Sequence, residues 1–221
     1  MLALAAAERS VSQEGLTGLV GLEIAENVAG NERACHLELR GGTDAAPFAG
    51  FADAGRLTGL SAERADRAGV ERLAGIPSVT DVLHVREGDA SSALRLRRDV
   101  RAFFQGNRFL LEPLVRHVVG LVPPGPVFDL YAGVGLFGLS LAAVGAEDVT
   151  LVESDPVSGA DLKVNAEPFG PRVRVDRRSV ETFLRIAGPA NEATFIVDPP
   201  RTGLSKEALG GIVLRHPARL V

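Results

Sequence analysis

The chain has 221 residues, 46% of them hydrophobic and 24% charged, and carries a net charge of -4 with a pI near 5.6. This is the composition of a soluble globular protein with enough length for one large domain or two small ones, and it excludes a disordered chain and one that is basic all over. A single cysteine, Cys35, excludes an internal disulfide framework and a cysteine-built metal or iron-sulfur site. A local basic face would still allow nucleic acid as a partner.

The opening MLALAAAERS has a short apolar run, no basic start, and Glu8 and Arg9 directly behind it. Neither a signal peptide nor a membrane span is expected, and the location expected is cytoplasmic. From Gly18 to about Arg101 the pattern is mixed α+β. Cys35, Leu37 and Leu39 alternate with Ala34, His36, Glu38 and Arg40, the period of a half-buried strand. Gly41 and Gly42 then mark a turn. A helix capped by Ser61 is expected through LSAERADRAGVERLA, ending near Gly75 and Pro77. VTDVLHV and ALRLRRDV, separated by EGDASS, read as a hairpin. In its second strand Leu94 and Leu96 alternate with Arg95 and Arg97, and Arg98 and Arg101 follow; such a face is either solvated or contacts phosphates. Adjacent strand residues point to opposite faces, so Cys35 and His36 cannot pair as nucleophile and base, and Cys35 reads as a small core residue. His36, His84, His117 and His216 show no metal-ligand spacing.

At Phe103 the pattern changes. After FFQGN, the residues Leu110, Leu111, Leu114, Val115, Val118 and Val119 fall at helical spacing, with Asn107 as the expected cap. PPGP ends that helix. The strand and turn VFDLYAGVGLFG come next, then a helix rich in Leu and Ala, then the strand VTLVES. Asp155 caps a helix through DLKVNAEPFG, with Pro156 at its first position. VRVDRRS with SVETFLRI forms a third unit, ATFIVDPP a fourth strand, and Ser205 caps a helix through Ile212. RLV begins a fifth strand. Strands alternating with helices of this length imply βαβ units and a parallel sheet, with ligands at the carboxyl ends of the strands. The boundary falls near residue 100, giving an α+β domain over 1–100 and an α/β domain over 101–221.

Those strand ends carry Asp129 and Tyr131, then Glu153, then Ser179, then Asp198. Gly133 and Gly135 permit positive φ and close backbone approach to a nucleotide-like cofactor. With Gly138 they also spell GxGxxG, and Glu153 is placed to accept ribose hydroxyls, so a dinucleotide and S-adenosylmethionine both fit this part of the pattern. DPPR puts an acid ahead of two prolines, a rigid extended exit that holds Asp198 at the strand end.

FFQGN, DLYAGVGLFGLSLA, LVES and VDPPRTGLS, in this order and at these intervals, resemble the S-adenosylmethionine-dependent RNA uracil-5-methyltransferases, which make 5-methyluridine in tRNA and rRNA. The resemblance is specific from Phe103 to Val221; before that the chain looks like part of the family's central RNA-contacting domain. It implies a Rossmann-like class I methyltransferase domain, S-adenosyl-L-methionine as cofactor, and RNA, either tRNA or rRNA, as partner, with no membrane and no metal. It puts the cofactor contacts on Gln105, Tyr131, Glu153 and Asp198, with a further polar contact on Ser179. Leu136 stands where the family often has an asparagine.

Similar enzymes add a cysteine thiolate to carbon 6 of uracil and remove the carbon 5 proton with a glutamate. The resemblance puts both residues beyond Val221, and Cys35 matches neither. The expectation is therefore a portion of a longer enzyme that binds cofactor weakly, does not methylate by itself, and exposes a strand edge that promotes aggregation or dimerisation. Three other readings stand beside it. One is an amino-methyltransferase, against which Arg201 counts because an aromatic ring usually follows the two prolines. The others are an NAD(P)-dependent oxidoreductase and a catalytically silent RNA-binding or cofactor-binding module.

Overall fold

Leu22 and Ile24 on one strand and Cys35, Leu37 and Leu39 on the next pack on one face, and the hairpin that carries them starts the first unit. In the computed structural model, residues 17–188 and 190–221 are described; the amino-terminal decapeptide considered above lies outside them. Two units emerge, one of residues up to Asp81 with Arg98–Arg101, the other of Val82–Arg97 with Ala102–Val221.

In the first unit, β1 (Leu19–Glu26) pairs antiparallel with β2 (Arg33–Leu39), β2 runs parallel to β3 (Gly59–Arg64), and β3 pairs antiparallel with β4 (Arg67–Gly75). The sheet order is β1-β2-β3-β4. The parallel step needs a crossover, and a 3-10 turn with the short helix α1 (Phe51–Ala54) supplies it. Phe48 and Phe51 from this crossover cover Cys35, Leu37, Leu39, Leu60 and Ala62 on one face of the sheet.

The helix expected over LSAERADRAGVERLA is not formed. Those residues are β3 and β4, joined by a two-residue turn at Ala65 and Asp66. Leu60 and Ala62 are buried on the core face, and Ser61 bonds His36 instead of capping a helix. A helix here would leave β2 without its parallel partner and uncover the phenylalanine-lined core, so packing overrides the local charge spacing.

β5 (Ser78–His84) and β6 (Ala93–Asp99) form the expected two-stranded sheet. Its arginines do not make a free cationic face. Arg95 is exposed, but Arg97 pairs with Asp161 at 2.6 Å, buried Arg98 with Asp81 at 2.8 Å, and Arg101 with Asp99 at 2.9 Å.

The second unit holds α2 (Leu111–Leu121), β7 (Val127–Leu130), α3 (Leu136–Ala143), β8 (Val149–Val152), α4 (Pro156–Ala166), β9 (Val173–Asp176), α5 (Val180–Ile186), β10 (Thr194–Val197), α6 (Lys206–Arg215) and β11 (Arg219–Leu220). The strands of its five-stranded sheet all run parallel, in the order β11-β10-β7-β8-β9. The chain winds from β7 through β8 to β9 and then returns to the other side of β7. The strand order therefore reverses between β7 and β10, where a doubly wound sheet opens a crevice at its carboxyl ends.

Alternation along each short strand fixes which helix covers which face. Leu130, Val152 and Phe195 pack with Phe183 and Leu184 of α5 and Ala208 and Ile212 of α6. Phe128 meets Phe195 edge-on at 5.2 Å and Phe183 at 5.7 Å. On the opposite face α3 comes so close to β7 and β8 that a Cβ on Gly138 would lie 2.2 Å from a Leu151 methyl. Asn107 is not the cap of α2. Its side chain accepts from the amides of Phe109 and Leu110 in the turn ahead of that helix. Among the described residues no helix is long and apolar enough to cross a membrane, and no cluster of His, Cys, Asp and Glu is arranged to hold a metal ion.

Candidate cofactor site

The turn between β7 and α3 is built by backbone conformation. Tyr131, Gly133 and Gly135 all have positive φ, at 65°, 56° and 101°. The two glycines adopt it freely, whereas Tyr131 is a non-glycine residue held there by its surroundings. Those surroundings are the aromatic and aliphatic side chains of the α5–α6 face, against which its ring packs. A Cβ on Gly135 would fall 2.4 Å from Leu139, so the helix start closes over this residue, while a Cβ on Gly133 would meet nothing within 4 Å. The backbone at Gly133 is thus open to a ligand that approaches closely.

Glu153 lies at the end of β8. One carboxylate oxygen accepts from Gly133 N at 2.8 Å and the other from Asp155 N at 2.6 Å. Each oxygen keeps a second acceptor position, so the group is oriented by the backbone and can still take a pair of hydroxyls.

Asp198, after β10, is exposed, and its Oδ2 accepts from the side-chain amide of Gln105 at 3.1 Å. Desolvation in the crevice raises the Asp198 carboxyl above its ordinary range, and the Gln105 amide works in the opposite direction. Gln105 and Asp198, singled out separately in the sequence, form a single polar pair.

Asp129 is 1% exposed, its Oδ2 accepts from Gly138 N at 2.7 Å, and its Oδ1 has no partner. Burial pushes this carboxyl up to about 7; the Gly138 amide opposes the rise, while the negative charges of Asp198 and Glu153 add to it. The Tyr131 phenol is also raised, first by burial and then by the charge of Glu181.

Ser179 is used locally. Its Oγ accepts from Thr182 N at 3.2 Å as the cap of α5. Leu136 is buried in the first turn of α3.

Two supports of the site were not singled out from the sequence. Asn165 of α4 donates to the carbonyls of Val134, at 3.0 Å, and Arg97, at 2.8 Å, which ties the glycine turn to a neighbouring helix. Glu181 accepts from Ser205 Oγ at 2.8 Å and links the starts of α5 and α6. For Asn165 the signal is a polar residue on the buried side of a helix: Asp161, Leu162, Asn165 and Ala166 share one inward stripe of α4.

The other candidates are structural. Cys35 is fully buried in the first unit, where burial pushes its thiol up to about 12, out of nucleophilic range. His216 ends α6 in a left-handed conformation. His36 sits on the face of β2 opposite Cys35, with Nδ1 2.9 Å from Ser61 Oγ.

Carboxylates at the ends of three adjacent strands around an open glycine backbone suit a ligand that presents hydroxyls and positive charge. Comparison with known proteins gives that reading a chemical class. No family model matches the chain. An uncharacterized RNA methyltransferase of Lactiplantibacillus plantarum is 34% identical over 155 residues, which is 67% of this chain and 30% of the relative. A 23S rRNA (uracil(747)-C(5))-methyltransferase of Pyrococcus abyssi is 40% identical over 129 residues, 54% of this chain and 28% of the relative. The chain thus spans about a third of the length of the curated relatives it matches.

Among solved structures, the tRNA (uracil-54, C5)-methyltransferase of Pyrococcus abyssi in complex with S-adenosyl-L-homocysteine superimposes with a TM-score of 0.71 at 20% identity, over 98% of this chain and 55% of that one. The fold is that of class I methyltransferases, with a Rossmann-like parallel sheet, and the chain is a relative of RNA methyltransferases.

Proposed function

We propose that this relative of the RNA methyltransferases is the cofactor-binding portion of an RNA (uracil-C5) methyltransferase, a cytoplasmic enzyme that takes S-adenosyl-L-methionine as cofactor and tRNA or rRNA as partner. The observation that carries the reading is the meeting of Gln105 with Asp198 at the reversal of strand order, beside a glycine turn whose backbone is fastened to Glu153. Strand-end geometry by itself would accept a dinucleotide as well. The relatedness to RNA methyltransferases favours a methyl donor.

The residues present fit that group. Glu153, oriented by two backbone amides, takes the ribose hydroxyls. Tyr131 presents a half-buried ring fixed by its own backbone. Gln105 and Asp198 bind the polar end nearest to where a methyl group is delivered. When bound, the cofactor supplies an electrophilic methyl group on a sulfonium. The protein's part in this segment is to orient that group and to surround its positive charge with carboxylates, which replaces water by fixed charges. Cys35 has no role in it. A thiolate that activates uracil at carbon 6 would come from a residue outside this segment.

Ultraviolet cross-linking with methyl-labelled S-adenosylmethionine tests the reading. Labelling of the chain, competed by S-adenosylhomocysteine and not by NAD, is expected; competition by NAD alone would overturn it. Incubation of the labelled cofactor with the chain and a uridine-containing transcript is expected to leave uridine carbon 5 unlabelled.

A further inference from the structure

Asp129 is the one carboxylate of this site with no solvent exposure to speak of and no basic neighbour. On the face where Asp129 meets Gly138, β7 is flanked by β8 and β10 and covered by α3, none of which carries a lysine, arginine or histidine, whereas α5 and α6, with Arg185, Lys206 and Arg215, cover the opposite face through Phe128 and Leu130. The polar side chain of α3 is Ser140, whose hydroxyl is already spent on the Leu136 carbonyl at 2.6 Å. The groups that do face Asp129 electrostatically are two further acids, Glu153 and Asp198. Its Oδ2 is satisfied by Gly138 N, and its Oδ1 is a buried acceptor without a donor. A carboxylate in that position is unfavourable as an anion and better satisfied as an acid, unless positive charge arrives nearby.

The ligand proposed above brings such a charge. S-adenosylmethionine carries a sulfonium besides its ammonium and carboxylate and is net cationic. S-adenosylhomocysteine differs by loss of the methyl group and of the sulfonium charge, and is net neutral. We infer that Asp129 is a proton-linked counter-charge of the cofactor site: binding of the cationic methyl donor drives a proton from its carboxyl, and binding of the neutral product does so much less. This rests on the methyl-donor reading of the site. By linkage, the deprotonated form then binds the donor more tightly, while the product loses that advantage when the methyl group leaves. The sulfonium charge is thereby sensed by a residue that need not touch it. The site favours donor over product as pH rises through neutrality.

The test is calorimetric titration of the 221-residue chain at pH 7 in buffers of different ionisation enthalpy, which counts protons released per ligand bound. Because Asp129 is about half protonated near its value of about 7, S-adenosylmethionine is expected to release up to about half a proton. S-adenosylhomocysteine is expected to release clearly less. Both ligands share the amino and carboxyl groups, so their difference isolates the sulfonium.

Asp129→Asn keeps an oxygen for Gly138 N and is expected to abolish that difference. In the unsubstituted chain, infrared difference spectra should show the protonated carboxyl signal fall when the donor binds, which keeps the test open if the variant does not fold. Equal proton release by donor and product, or donor binding with no release, would overturn the inference and leave the cofactor reading standing. Failure of the chain to bind the donor at all would remove the cofactor reading, and this inference with it.

Discussion

The side-chain amide of Gln105 donates a 3.1 Å hydrogen bond to Oδ2 of Asp198, joining positions 93 residues apart at the crevice where the strand order reverses. The pair orients the carboxylate before any ligand arrives, and preorganisation of this kind lowers the cost of binding. Gln105→Ala and Asp198→Asn are each expected to weaken S-adenosylmethionine binding about tenfold, with a coupling of about 1 kcal/mol in a double-mutant cycle. Strictly additive losses would mean that the two residues act independently.

Gly138 is fixed by its neighbours. A Cβ there would lie 2.2 Å from Leu151 Cδ2 and 3.0 Å from Asp129 Oδ2. Gly138→Ala should therefore cost about 1–3 kcal/mol of stability through overpacking, measured by urea unfolding, and should weaken cofactor binding because α3 must shift away from β7. Unchanged stability would contradict the close helix–strand approach described above.

Burial of Asp129 has a consequence for stability that can be measured without ligand. Its carboxyl is raised from 3.8 to about 7 in the folded chain, so the folded state holds more protons than the unfolded state between those values. Stability from this group is present at low pH and is lost as pH rises through about 7. Asp129→Asn escapes that loss and is expected to be stabilised relative to the unsubstituted chain by on the order of 4 kcal/mol at most at pH 8. The advantage should vanish towards pH 4. A constant difference across that range would show that Asp129 is not buried as an acid.

His36 shifts the other way. Burial lowers its imidazole below the ordinary 6.5, and the charge of Arg101 acts in the same direction, while Glu63, Glu23 and Asp99 oppose it. The folded chain therefore keeps His36 neutral. Its contribution to stability is complete above pH 6.5 and is lost as pH falls below that value towards the lower folded one. A nuclear magnetic resonance titration should place the His36 midpoint below 6.5, and a midpoint at or above 6.5 would contradict this burial.

Much of the second unit is legible in the sequence because three of its helices are marked at their starts. Asp155, Ser179 and Ser205 cap the helices that follow them, with side chains accepting from amides three residues on. Gly133 and Gly135 sit where positive φ is required. The first unit is less legible. Between Ser61 and Gly75 the charged residues recur at helical spacing, yet these residues are β3 and β4. What decides the matter is the long-range parallel pairing of β2 with β3 and the cover given by Phe48 and Phe51, neither of which leaves a periodic trace within the segment.

The same limit applies in the site. Sequence order marks Gln105, Tyr131, Glu153 and Asp198, but only the fold shows that Gln105 bonds Asp198, that Glu153 is held by the glycine turn, and that Asn165 anchors Val134 from another helix. Ser179 caps α5, a role its position before SVETFLRI already suits.

The measurement that bears most directly on the account is calorimetric binding of S-adenosylmethionine and of NAD to the chain and to its Asp198→Ala and Glu153→Ala variants. Binding of S-adenosylmethionine alone, lost in both variants, is the expected result. Binding of NAD, or S-adenosylmethionine binding that survives removal of Asp198, would contradict it.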